Sequence, residues 1–361
     1  MKLKQDIYVP SLKWRLGEYQ ALLNLEENVK EKIVPYISVP KIEFDFEEWK
    51  PRKTPEEHVK QFPERYEKKW GARAAWIGID TSLVHAHMDD GQSVISHIYQ
   101  GLSNVDARGI PVVHFKSDDA VLGLYANAIE VCGVGAAIRL GLDDLMAPKV
   151  SENIAETLEK LGIQTSDTDL IVDLETPHYE PYTDFARALF TAIRQISQLQ
   201  EFRNFVLTGS AFPDSMADIS KPGGEVIRHE WLFYQLFVNS LPEDFRTPLF
   251  GDHTSVSPKF VATDMRKIKP AGKIVYATAD KWVIRKGSAF RDDPEQMHGL
   301  CTDVKATSHF MGRSYSFGDE YIADCAARKV GPSNQTRWKT VSINHHIVVA
   351  ARGLASFAEA S

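Results

Sequence analysis

Three cysteines in 361 residues, Cys132, Cys301 and Cys325, are too few and too far apart for a disulfide framework. No CxxC pair or Cys/His ladder accompanies them, so a structural zinc site is not expected either. Cys132 sits in an apolar, helix-like run, where a thiol acts as a small buried hydrophobe. No apolar stretch has the ~20 residues that cross a bilayer. Residues 1–7 are polar and charged, unlike a secretory signal. Basic excess is missing too: 42 Lys and Arg face 49 Asp and Glu, and the net charge of −7 speaks against a chain that coats nucleic acid. P-loop, strand-linked GxGxxG and GxSxG patterns are all absent, so no nucleotide cofactor is expected. Nothing repeats at solenoid spacing. The expectation is a reduced, cytoplasmic chain without a membrane anchor.

What is present is an alternation. Short β-branched runs at 7–12, 33–39, 74–79, 111–115, 135–140, 169–174, 204–208 and 248–252 read as strands. Amphipathic stretches at 17–31, 55–70, 92–102, 120–132, 151–161, 182–200 and 225–241 fall between them as helices. Unbroken apolar strands such as Leu170-Ile171-Val172 suit a parallel sheet buried on both faces. Phe185, Leu189, Ile193 and Ile196 form one stripe at helical spacing. Thr54 before Pro55, and Ser151 with Gly162, are helix caps by type and position.

Eight such units predict an α/β fold, a (β/α)₈ TIM-like barrel. An open sheet is the alternative if one strand is miscounted. The rhythm fails after the eighth strand, where 273–278 and 282–285 read as a β-hairpin followed by a loop-rich stretch. Helical pattern resumes at 340–360. Residues 1–254 and 336–361 are therefore expected to form the barrel, with 255–335 inserted over its C-terminal face.

Barrel chemistry gathers at the C-terminal strand ends. There the sequence supplies Lys13, Arg15, Ser38, Asp80, His114, Lys116, Arg139, Asp173, Glu175, Thr208, Ser210, Asp252 and His253. Asp80, Arg139 and Asp173 interrupt apolar strands, and a buried charge there must be paired. One reading is a structural salt bridge from Arg139 to Asp173 or Asp80. The other makes Lys13 and Arg139 an anion clamp, with Asp173 or Glu175 as general base or metal ligand. Asp80, Asp173, Glu175 and Asp252 would suit Mg²⁺ or Mn²⁺. The His85-Ala86-His87 pair reads as a solvated loop. Of His345-His346, one ring is expected to be packed and one exposed, since helical neighbours diverge by about 100°. Trp231, Phe233, Tyr234 and Phe237 read as core.

Several motifs stand in a telling order: Tyr8-Val9-Pro10-Ser11-Leu12-Lys13-Trp14 with Gly17-Glu18, Val172-Asp173-Leu174, Ser210-Ala211-Phe212-Pro213 and Arg228-His229-Glu230-Trp231. Phe250-Gly251-Asp252, Ile274-Val275-Tyr276, Trp282-Val283-Ile284-Arg285-Lys286-Gly287, Trp338 and His345-His346 complete it. In this order the chain resembles the beta-protein family of prophages and phage satellites. It departs from that pattern at Ala211, His253 and Lys286. The resemblance implies a barrel protein carried on mobile elements and linked to exclusion of competing phages. It implies no particular reaction. Its motifs would mark Lys13, Asp173, Arg228, Glu230, Asp252, Arg285 and His346 as site residues.

Three functions follow as expectations. The first is a component of an intracellular anti-phage system acting through the barrel mouth. The second is a metal-dependent phosphoester or nucleotide hydrolase. The third is a non-enzymatic partner or antitoxin of a neighbouring gene product. The catalytic candidates are Lys13, Asp173, Glu175 and Asp252, and the substrate-binding candidates are Arg139, Arg228, Glu230, Arg285 and His346. The metal candidates are Asp80, Asp173 and Asp252.

Overall fold

The computed structural model describes residues 1–259 and 268–360. Residues 260–267, part of the expected insertion, lie outside the described residues.

Eight strands close a barrel: β1 (Val9–Lys13), β2 (Tyr36–Val39), β3 (Ala75–Ile79), β4 (Gly109–His114), β5 (Ala136–Gly141), β6 (Thr168–Asp173), β7 (Asn204–Gly209) and β9 (Leu249–Asp252). They follow one another around the circle, and β9 returns to β1. All pairs are parallel, with Ser11 opposite Tyr36 and Val9 opposite Gly251. Gly78 shows how tight the interior is. A Cβ there would lie 2.4 Å from the Tyr36 hydroxyl, so the glycine makes room for that ring.

Helices between the strands wrap the barrel, and two of the expected ones are broken. The helix expected over 17–31 ends at Leu23, where the Asn24 side chain donates to the Gln20 carbonyl at 2.7 Å, and restarts as Glu27–Lys30. The one over 55–70 splits into Pro55–Val59 and Phe62–Trp70. Pro63 lacks the N–H that would continue the first segment. Thr54 caps through a full capping box with Glu57. Ser151 does not cap. Lys149 holds that position in the left-handed region, and Ser151 Oγ bonds Ser197 and Gln198 instead.

The largest correction lies beyond β7. Residues 225–227, read as the start of a helix, belong instead to β8 (Gly223–Ile227), and the helix runs His229–Asn239. β8 joins the predicted hairpin, β10 (Ala271–Ala277) and β11 (Lys281–Ala289), in an antiparallel sheet ordered β8-β11-β10. Pairing with a strand some sixty residues away outweighs the weak local helical pattern. The loop-rich stretch after the hairpin also contains two helices, Gln296–Lys305 and Phe317–Ala326.

One face of this small sheet supplies Ile274, Tyr276 and Val283 to a second core with Met297, Leu300, Ile322 and Trp338. The other face gives Val275, Trp282 and Ile284 to a cluster with Phe212 and Val349. The last helix, Gln335–Ala360, serves both regions. Its Trp338 and Val341 belong to the second core, while Ile343, Ile347 and Leu354 belong to the barrel core.

Candidate functional site

Side chains alternate across a strand, so every second residue of a barrel strand points inward. Val9, Tyr36, Trp76, Ile110, Val112, Ala137, Ile171, Val206 and Leu249 follow that alternation and fill the inner core. Continued toward the C-terminal ends, the same parity brings Lys13, Ser38, Asp80, His114, Arg139, Asp173 and His253 to the mouth. There they line a cavity of about 560 Å³ together with Glu18, Tyr36 and Glu175.

Asp173 is the centre of this cluster. Its Oδ2 accepts from Arg139 Nη2 at 2.8 Å and Nε at 3.2 Å. Its Oδ1 faces His253 Nε2 at 3.1 Å and accepts the Glu175 N–H at 2.9 Å. Burial alone would raise this carboxyl, but the His253 and Arg139 charges and their hydrogen bonds hold it well below the usual range. Arg139 answers in kind: burial disfavours its charge and Asp173 more than restores it. The pairing of Arg139 with Asp173 is thus real, and Asp80 is not part of it. The Asp80 carboxylate closes its own loop, accepting from Ser82 N at 3.0 Å and Oγ at 2.7 Å.

Burial displaces the pKa values of two titratable groups near the pair. Burial pushes the Glu18 carboxyl up to about 7, although it accepts the Lys13 backbone N–H and lies near the Lys13 charge. Burial, aided by the Arg139 charge, holds His114 below the ordinary imidazole value, so its ring is neutral at pH 7. Lys13 donates to the carbonyls of Ser257 at 3.1 Å and Pro258 at 2.8 Å, fastening the chain after β9 over the mouth. Glu18 was visible in the sequence only as part of a motif. Its signal was a carboxyl in the first helical turn after a strand whose end carries a lysine.

Asp252 faces the other way. It lies one residue out of parity with His253, so it leaves the barrel interior and meets residues outside it. Its carboxylate accepts from the Tyr8 hydroxyl, from Thr254 N at 2.8 Å, from Arg228 Nη2 at 3.2 Å and from His346 Nε2 at 2.8 Å. Trp282 Nε1 can only donate. It sits 3.1 Å from His346 Nδ1, which fixes the tautomer whose Nε2–H points at Asp252. Burial lowers the His346 pKa in keeping with a neutral ring. Arg228 also holds Glu230 at 3.2 Å and the Thr278 carbonyl at 3.1 Å, and Glu230 accepts the Ala211 N–H.

Tyr8, Arg228, Glu230, Asp252 and His346 are each 3% exposed or less. None of them lines the mouth. They join β1, β9, the start of helix His229–Asn239, the small sheet and the last helix. Arg285, on β11 opposite Gly223 and Ile274, is likewise outside the mouth lining.

The candidate residues therefore divide into two groups. Lys13, Asp80, Arg139, Asp173 and Glu175 come together at the mouth; Arg228, Glu230, Asp252 and His346 come together in the buried network. The expected metal trio of Asp80, Asp173 and Asp252 does not converge. Among the described residues no group of three or more His, Cys, Asp or Glu side chains is placed to hold a metal ion.

The expectation of one exposed ring at His345-His346 is corrected, since both are buried. The last helix lies between two cores, and the diverging neighbours each meet a carboxylate. His345 Nδ1 is 2.8 Å from Asp319 and its Nε2 donates to the Ala277 carbonyl. His85 is exposed and pairs with Asp118 at 3.1 Å. Cys132 is half-buried, and burial pushes its thiol up to about 11.

A closed ring of eight parallel strands with ionisable side chains at the C-terminal mouth places this molecule among the (β/α)₈ barrel proteins. The profile of the family described as "Beta protein" matches residues 8–352, nearly the whole chain, and the chain belongs to that family. Among solved structures, the crystal structure of triosephosphate isomerase from Bartonella henselae aligns with 69% of this chain and 92% of that chain, at 12% identity and a TM-score of 0.35. No curated protein matches. No helix among the described residues is long and apolar enough to cross a membrane.

Proposed function

We propose that this chain is a component of an intracellular phage-exclusion system and works through its barrel mouth. Membership of the beta protein family supports the phage association. The observation that carries the rest is the mouth itself: a cavity of about 560 Å³ around an Arg139–Asp173 pair, with neutral His114 and a Glu18 carboxyl titrating near 7. Purely structural salt bridges need no such hollow, and ionisable groups with displaced pKa values in a cavity are typical of working sites.

Phage plating on cells carrying the native locus tests this reading. Arg139→Ala, Asp173→Ala and the milder His114→Gln are compared with wild type at matched protein abundance. Plating efficiency is expected to rise to that of cells without the locus. Full protection from all three variants would end the mouth hypothesis and turn attention to outer surfaces.

The Glu18 carboxyl favours a second reading, a hydrolase of phosphoesters in which Glu18 and His114 exchange protons with the substrate. The non-enzymatic partner reading draws on no comparable feature.

A further inference from the structure

The inserted region holds two thiols that share no wall with the mouth cavity. Cys301 lies on helix Gln296–Lys305 and Cys325 on helix Phe317–Ala326, and both helices pack into the second core. That packing sets the sulfurs side by side, with the Cys301 S–H donating to the Cys325 sulfur. Both cysteines are 0% exposed. A buried thiol usually serves only as a small hydrophobe. This pair differs, because polar groups are aimed at one of its sulfurs.

His298, one turn before Cys301, supplies the second donor. Its Nδ1 is 2.6 Å from the Cys325 carbonyl, which can only accept, so Nδ1 carries a proton. The same nitrogen lies 3.5 Å from Cys325 Sγ. Across the ring, Glu295 Oε2 is 3.3 Å from Nε2, and Arg328 reaches that carboxylate at 3.6 Å. An imidazolium at His298 would therefore be held at both nitrogens.

Two donors thus converge on Cys325 Sγ, and hydrogen bonds to the charged form favour a thiolate. The Cys325 thiol is held below its ordinary value by the Cys301 hydrogen bond and, against burial, by the His298 charge. Cys301 gives that hydrogen bond and is pushed up by it, with burial adding to the rise. One sulfur is prepared to attack, and the other keeps its proton until the first has reacted.

We propose that Cys301 and Cys325 form a reversible dithiol–disulfide pair, with Cys325 as the attacking thiol, Cys301 as the resolving thiol and a peroxide as the oxidant. The Cys325 thiolate attacks one peroxide oxygen; the S–O bond forms, the O–O bond breaks, and the leaving hydroxide takes the proton that Cys325 gave up. The Cys301 sulfur then attacks the sulfenic sulfur. The S–S bond forms, the S–O bond breaks, and hydroxide leaves with the Cys301 proton as a second water. Two electrons pass from the thiols to one peroxide, and an external thiol reverses the change.

Glu295 and Arg328 have side chains 64% and 70% exposed, so the sulfurs lie directly beneath the surface. Hydrogen peroxide, little larger than water, enters through the local openings that native proteins undergo. The pair also sits where it can be felt. Asp319, on the same helix as Cys325, accepts from the Tyr276 hydroxyl at 2.6 Å and lies 2.8 Å from His345 Nδ1 on the last helix.

Hydrogen peroxide treatment of the full chain, then acid quenching, maleimide labelling under denaturing conditions and intact mass, tests the proposal. Of the three thiols in the chain, two should be lost to labelling, with peptide mapping to a Cys301–Cys325 link, and dithiothreitol should restore both. Cys301→Ser should stop at a sulfenic acid on Cys325 that dimedone traps, while Cys325→Ser should leave Cys301 reduced. His298 acts here as a positioning residue. His298→Gln should slow oxidation by about tenfold at neutral pH and move the inflection of its pH–rate profile upward, because less of the thiolate is present.

Three free thiols after a peroxide dose that fully oxidises dithiothreitol would overturn the proposal. So would a link that includes Cys132 or joins two chains. Oxidation of Cys301 at an undiminished rate in Cys325→Ser overturns the assignment of the attacking thiol, and an unmoved pH profile in His298→Gln leaves that ring a packing role alone. The phage-plating result for the mouth variants bears on none of these outcomes, since the pair and the mouth share no residue.

Discussion

Arg228→Met is expected to cost about 3–5 kcal/mol of unfolding free energy in urea denaturation, the loss typical of breaking a buried ion pair from one side. Arg228 is 1% exposed and is the cation between two buried carboxyls, Asp252 and Glu230. Asp252 is held well below the ordinary range because His346 and Arg228, with the Tyr8 hydroxyl, overcome the effect of burial. Glu230 is already pushed up to about 7 by burial, with the Asp252 charge adding to that rise and Arg228 opposing it. Without the guanidinium, both carboxyls remain in a dry site and one must protonate. The loss should therefore be greater at pH 8 than at pH 5, where protons can replace the missing charge. Arg228→Met combined with Glu230→Gln should recover part of the stability, because one of the orphaned charges is gone. A cost below about 1 kcal/mol, the range of surface pairs, would mean that the network is not a keystone.

Asp173→Asn is expected to lower stability by about 3 kcal/mol at pH 7, the penalty for leaving Arg139 buried without its anion. It should also flatten the acid limb of the pH–stability curve. The folded Asp173 carboxyl lies well below its unfolded value of about 3.9. Between those values the unfolded chain binds more protons, so stability from this group is fully present above the unfolded value and is lost as pH falls through and below it. Urea midpoints for wild type and Asp173→Asn should run parallel from pH 7 to about pH 4 and draw together only below about 3.9. Asp252 is depressed as well, so a shallower slope remains in the variant. Curves that stay parallel below about pH 3.9 would show that the linked proton belongs elsewhere.

Two groups of ionisable residues thus have different jobs in the same fold. The mouth keeps its charges beside a cavity, and the Asp252 network spends its charges on joining elements. The family motifs Arg228-His229-Glu230-Trp231, Gly251-Asp252 and His345-His346 fall mainly in the second group. They read as site residues in a linear sequence because a buried structural charge and a working charge use the same residue types.

All eight barrel strands were legible within a few residues of their observed bounds. Apolar runs flanked by polar ends record burial on both faces, and that record is local. Parity along those strands also brought Lys13, Asp80, His114, Arg139 and Asp173 to one mouth. Three matters were beyond local pattern.

Whether the strand-end residue of β9 faced in or out depended on register, and a single residue decides it. Asp252 therefore turned outward to Tyr8 and Arg228, while His253 took the inward place beside Asp173. Residues 223–227 became a strand because β11 lay ready to pair with them, a partner distant in the chain. Both rings of His345-His346 were buried because the last helix runs between two cores, which no single-helix periodicity reveals. The sequence by itself determined which segments are the barrel strands and which charges sit at their ends. The tertiary structure alone decided which charges face the cavity and which are locked to one another, because that choice depends on partners brought together only by the closure of the barrel and the packing of the small sheet against it.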